Sequence, residues 1–142
     1  MTTTTTTTSP ETVRRAWPRR LGAVAAATVV NALIGALAPL AGVGMVISMP
    51  GMEPGPVPVA AFAMWTAVFG LLGWGTLALT ELVLRHRARA VWTAAAVVVL
   101  LLSFLPSMSV GGDVATEAVL LSTHVVAAAI LIPVFWRSAR SA

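Results

Sequence analysis

The stretch Glu81-Leu82-Val83-Leu84-Arg85-His86-Arg87-Ala88-Arg89-Ala90-Val91-Trp92 decides how this chain folds. Its basic middle separates two long apolar runs. Val59 to Leu84 carries one charged residue, Glu81, and Ala90 to Leu105 carries none. A hydrocarbon core about 30 Å thick takes roughly 20 helical residues to cross. Each run therefore reads as a membrane helix, and the basic stretch as the turn between them. Two further runs extend this reading, Leu21 to Leu40 and Glu117 to Trp136. The expected fold is an all-α membrane protein, a left-handed four-transmembrane-helix bundle with spans at about 21–40, 59–84, 90–105 and 117–136. The third span has the shortest apolar core, although Val97 to Leu102 is its most hydrophobic stretch. The third and fourth runs compete with a single re-entrant hairpin, but Pro106, Gly111, Gly112 and Asp113 between them favour two full passes.

The placement of charge tests the span count independently of hydropathy. With four spans, Arg14, Arg15, Arg19 and Arg20, then Arg85, Arg87 and Arg89, then Arg137 and Arg140 all fall on one side. The other two loops hold Glu53 and Asp113 and no base. A miscounted span would split the arginines between the two sides. The positive-inside rule makes their side cytoplasmic, so both termini are expected inside (N-in/C-in) in a bacterial cytoplasmic (inner) membrane.

Bulk composition agrees. Of 142 residues, 58% are hydrophobic and 10% charged, against about 25% charged in soluble domains. Too little charge is present to clothe a soluble surface, and too much apolar surface to remain disordered. The mean hydropathy is +0.90 and the isoelectric point about 11.7. The arginines flank apolar runs, so their basicity reads as topology and headgroup contact (Arg19, Arg20, Arg85, Arg87, Arg89, Arg137), with no nucleic-acid partner expected. The lipid bilayer is the expected partner, together with a second copy of the chain or another membrane protein. Cysteine is absent, which excludes disulfides, thiolate metal sites, cysteine nucleophiles and lipoprotein acylation.

Residues 1–16, rich in threonine, read as a disordered cytoplasmic tail, and 17–140 as a single transmembrane domain. Ala36-Leu37-Ala38 has the look of a signal-peptide cleavage box, but Pro39 follows it directly. The first helix is therefore expected to stay uncleaved. The outer loop 41–58 combines a β-prone Met45–Ser48, the turn signal Pro50-Gly51, and a Val57–Val59 segment able to pair back. Pro54, Pro56 and Pro58 withhold ladder donors, so a short edge hairpin or irregular cap is expected on the extracytoplasmic side.

Polar groups inside lipid are candidate sites by default. Asn31 shares a helix face with Val24, Ala27, Thr28, Ile34, Gly35 and Ala38, a pattern of small residues around a polar one that suits a helix–helix hydrogen bond. The competing role is ligand binding or transport. His124 lies on a face with Glu117, Leu120, Leu121, Ala127, Ala128 and Leu131, with Glu117 about two helical turns away. A structural bond from His124 to Asn31 competes with a proton path or partial metal site through His124 and Glu117. Glu81 stands four residues before Arg85, the favourable ion-pair spacing. Met45, Met49 and Met52 form a weak copper candidate, since thioethers suit Cu(I), but they also suit irregular packing. One histidine cannot supply both axial haem ligands or a closed zinc site. Gly70, Gly73 and Gly75 with Ala63 and Ala67 mark close packing of the second helix. Phosphate loops, HExxH and nucleophile elbows are missing, so neither an enzyme nor a cofactor is expected.

Val91-Trp92-Thr93, Val97 to Phe104 with Pro106, and Ser122-Thr123-His124-Val125-Val126 leading to Ile130-Leu131-Ile132-Pro133 and Arg137 resemble one family. It is an uncharacterised family of small actinobacterial four-helix membrane proteins, a domain of unknown function, and the likeness spans about Arg19 to Arg140. The resemblance implies a recurrent Asn in the first helix and His in the fourth, here Asn31 and His124, and supplies no activity. The function expected is that of a small inner-membrane protein, non-enzymatic, acting through helix–helix contacts. The alternative is a small transporter or a metal- or redox-linked membrane protein using Asn31 and His124. Four-helix exporters place a carboxylate in the first helix where Asn31 stands, which counts against proton-coupled export.

Overall fold

The computed structural model describes residues 10–48, 51–109 and 111–139, with side chains from Ala16 onward. Four α-helices dominate: α1 (Pro10–Leu37), α2 (Val59–Leu84), α3 (Ala88–Ser109) and α4 (Val114–Ser138). Short 3-10 turns, Pro39–Ala41 and Arg85–Arg87, follow α1 and α2. α1 packs against α2 and α4, and α3 packs against the same two helices. Long helices suit such apolar runs because each backbone N–H is satisfied within its own segment.

Three helical stretches are long and apolar enough to cross a membrane: Ala16–Ala41, Val59–Ser109 and Val114–Ser138. The expectation was four. The difference lies in the middle stretch, whose 51 residues contain both α2 and α3 joined by the 3-10 turn. The chain reverses within that stretch. Arg85 takes φ +40°, and beyond it the Trp92 indole returns to α2, donating to Gly73 O at 3.0 Å and Thr76 Oγ1 at 3.2 Å.

Helix boundaries differ from expectation at three points. α1 begins at Pro10, inside the stretch expected to be a disordered tail, because proline's missing amide and fixed φ suit a first helical position. Residues 1–9 lie outside the described residues. α3 continues through Pro106 to Ser109 rather than stopping near Leu105. The hydroxyls of Ser103 and Ser107 bond back to Leu100 O (2.6 Å) and Ser103 O (3.1 Å) on the turns beside that proline; proline is tolerated inside apolar helices of this kind. α4 begins at Val114 because Asp113 caps it, its carboxylate accepting from Thr116 N at 2.7 Å.

Between α1 and α2 lies the expected hairpin, made of β1 (Val46–Ile47) and β2 (Gly55–Pro56), antiparallel with Val46 opposite Pro56 and Ile47 opposite Gly55. Its second strand falls just before the expected Val57–Val59. Val57 N still donates to Met45 O at 2.8 Å. Met45 is buried with Ala38 and Phe62, so the hairpin is pinned to the ends of α1 and α2. Gly111 and Gly112 lie against Ser48 and Val46, which brings both acidic loops to the same end.

The main core joins Ala23 and Val24 of α1, Leu77 of α2, Trp92 of α3, and Phe135 with the adjoining Ala139 of α4. α1 and α2 approach closely: a Cβ on Gly35 would stand 2.5 Å from the Phe62 ring, and one on Gly70 would stand 3.1 Å from Val24. Gly75 has open space around it, so it takes no part in the close packing expected of the glycine group. Leu33, Phe69, Leu79, Val99, Leu102 and Leu105 point outward, each more than half exposed.

Candidate functional site

Two polar ties hold the helices together, one at the arginine-rich end and one nearer the middle. At the arginine-rich end, Arg20 is only 4% exposed. Its guanidinium meets Glu81 in a fork, Nη2 to Oε1 at 2.6 Å and Nη1 to Oε2 at 3.3 Å. It also donates through Nε to Ser138 Oγ at 2.9 Å and through Nη2 to Ser138 O at 2.7 Å. One side chain thus connects α1, α2 and α4. The planar fork of arginine, with donors in fixed directions, allows this division of bonds.

α3 joins the same end through Arg89, whose Nη2 donates to Ala139 O at 3.0 Å and whose guanidinium lies 4.7 Å from the Trp136 ring centroid. Trp92 packs against Phe135 with ring centroids 5.4 Å apart. The terminal carbonyls of a helix lack intrahelical donors and form the negative end of its dipole. Here Ser138 O and Ala139 O receive donors from arginines on two other helices. Arg19, Arg85, Arg87 and Arg137 are exposed. The expected headgroup set therefore divides: Arg20 and Arg89 turn inward as ties, and the other four remain at the surface.

Glu81 corrects another expectation. Its ion pair runs across helices to Arg20 rather than along the chain to Arg85. α2 stops at Leu84 and Arg85 leaves the helical conformation with φ +40°, so the i,i+4 geometry is broken before its second partner is reached.

The second tie centres on Asn31, 3% exposed. Its Nδ2 donates to Thr66 Oγ1 of α2 at 2.9 Å and to Thr123 O of α4 at 3.0 Å. The interhelical role expected of Asn31 is present, but its partner is not His124. Successive helical residues are turned by about 100°, and α4 buries Thr116, Thr123 and Phe135. His124 is turned about 100° from the face shared by Thr116 and Thr123 and is half-buried, with Nδ1 2.8 Å from Leu120 O on its own helix. Glu117 is likewise half-buried in the first turn of α4. Asn31 Oδ1 and the neighbouring Thr28 Oγ1 are buried without a hydrogen-bond partner among the described residues.

Among the described residues, no three His, Asp or Glu side chains are grouped to hold a metal ion. Met45 is buried under the hairpin and Met52 is 68% exposed on it, two separate environments, while Met49 lies outside the described residues. At the far end, Thr116, by its side chain beside Asp113 and its backbone amide bonded to it, holds the Asp113 carboxyl below the usual range. Of the two, the amide has hydrogen-bond geometry.

Sequence reasoning missed Arg20 and Ser138 as partners. The signal was present: Arg20, Val24, Ala27, Asn31, Gly35 and Ala38 lie three or four residues apart and are all buried. Following the face of Asn31 one step further toward the N-terminus reaches Arg20.

The chain matches the family model DUF6069, a family of unknown function, over residues 11–141. It belongs to that family. Both polar ties of this DUF6069 chain lie within the matched residues. The curated proteins and solved structures compared with it gave no match.

Proposed function

We propose that this DUF6069 member is a small, non-enzymatic protein of a bacterial inner membrane, acting through helix–helix contacts with a second copy of itself or another membrane protein. In this reading the chain is a four-pass bundle with both termini in the cytoplasm, as in the small actinobacterial four-helix proteins it resembles. The observation that carries the proposal is how interior polarity is used. Arg20, Glu81, Asn31, Thr66 and Ser138 bond helix to helix, while the outward faces are apolar. Interhelical polar bonds inside and apolar side chains outside suit lipid as the solvent. The hairpin within Val59–Ser109 supports counting that stretch as two passes. Trp17 and Trp136, about half exposed near the arginine-rich end, suit an interfacial belt.

A reporter fused after Ala142 tests the topology. A cytoplasmic signal is expected, and an external one overturns the four-pass count. Asn31→Ala and His124→Ala test the mode of action. Lower thermal stability in detergent, with no solute uptake or metal binding lost, agrees with the structural reading. Loss of such an activity from a folded variant installs the transporter or metal-linked alternative in its place.

A further inference from the structure

We propose that the cleft between α1 and α4 at the arginine-rich end binds the headgroup of an anionic phospholipid, a reading that rests on the membrane placement above. The cleft is about 340 Å³ and is lined by Arg19, Val134, Arg137 and Ser138. Arg19 and Arg137 come from different helices, are exposed, and have no hydrogen bond or ion pair among the described residues. Arg20, next to Arg19, is committed to Glu81 and Ser138, so among the described residues the uncompensated charge at this cleft belongs to Arg19 and Arg137.

Two features suit a phosphate diester carrying acyl chains better than a free anion. Arginine forks match phosphate oxygens in bidentate geometry, and Val134 continues the wall down the apolar flank of α4, where acyl chains would lie. The C-terminal end of a helix ordinarily repels an anion. Here Ser138 O and Ala139 O already accept from Arg20 and Arg89, which offsets that repulsion beside the cleft. Basic pockets between membrane helices on the cytoplasmic side are suited to anionic headgroups.

The test uses the full chain purified in neutral detergent, with phosphatidylglycerol and phosphatidylcholine titrated in and bound lipid counted by native mass spectrometry. The wild-type chain should retain phosphatidylglycerol selectively. The R19Q/R137Q double variant should bind it roughly tenfold or more weakly, the loss expected for two basic side chains at an anionic surface. The R85Q/R87Q variant removes the same charge from the exposed 3-10 turn and should bind as the wild type does. Equal weakening in both variants overturns the site, because surface charge alone then explains binding. Displacement of the lipid by millimolar inorganic phosphate also overturns it, in favour of a free-anion site. Unchanged melting temperatures establish that the variants are folded. Carbonate extraction of cell membranes separates the two proposals: a chain retained in the membrane without lipid selectivity loses only the cleft, and a chain released to the soluble fraction loses both.

Discussion

Arg20 and Glu81 form a buried two-pronged ion pair joining the start of α1's apolar run to the last turn of α2. Both side chains are 5% exposed. Removing either partner takes away the other's buried two-pronged charge partner, at a cost of up to about 3–5 kcal/mol. Arg20→Met and Glu81→Leu should each lower the melting temperature in detergent strongly. The double substitution, replacing both charges with apolar groups, should be less damaging than either alone. A double variant as unstable as the sum of the singles would show that the two groups act independently.

The Asn31 tie should show a smaller coupling. Asn31→Ala removes donors from Thr66 and Thr123 and should cost about 1–3 kcal/mol. A double-mutant cycle with Thr66→Val should return a coupling of about 0.5–1.5 kcal/mol, the range for polar contacts between membrane helices. His124→Ala, whose one hydrogen bond among the described residues is to its own helix, should change stability by less than Asn31→Ala does. Thermal unfolding of the three variants in one detergent ranks them directly.

Gly35→Ala places a methyl 2.5 Å from the Phe62 ring. The ring is buried between the ends of α1 and α2 with Met45, so relief requires moving the helices apart. Overpacking of this kind costs about 1–3 kcal/mol. Pairing Gly35→Ala with Phe62→Leu should recover part of the loss, and the unfolding midpoints of the single and double variants check it. Gly75→Ala, in open space, should be neutral or slightly stabilising because alanine favours the helix.

Asp113 predicts a pH dependence. Thr116 lowers its pKa below the ordinary 3.8, so the folded state favours the carboxylate more than the unfolded chain does. The stabilisation is therefore fully present above pH 3.8 and declines as the pH falls through the lowered folded value. Asp113→Asn, which keeps a capping oxygen, should remove this part of the acid sensitivity. Melting curves of wild type and variant should converge as the pH is lowered through that window.

Helix positions were legible because apolar runs long enough to span lipid leave few alternatives. The arginine clusters identified which helix ends belong together, since the residues that meet at Ser138 and Ala139 are arginines of α1 and α3. What remained hidden was rotation. Hydropathy that is high all around a helix carries no facing information, so Thr123 rather than His124 reached Asn31. Local spacing misled at Glu81, where an i,i+4 partner four residues away concealed one 61 residues away. Pro106 misled because a proline inside an apolar helix need not end it: α3 runs on to Ser109.

The two arginines that grip the end of α4 also bear on the order of assembly. α1, α2 and α3 are all synthesised before Ser138 and Ala139, so Arg20 can meet Glu81 while α4 is still being made. When the last carbonyls arrive, one of their two donors, Arg20, is already held by Glu81 of α2. α4 is then the closing element, docking onto a receptor built by the rest of the chain, and a chain halted before Ser138 would lack the contact that completes the ring.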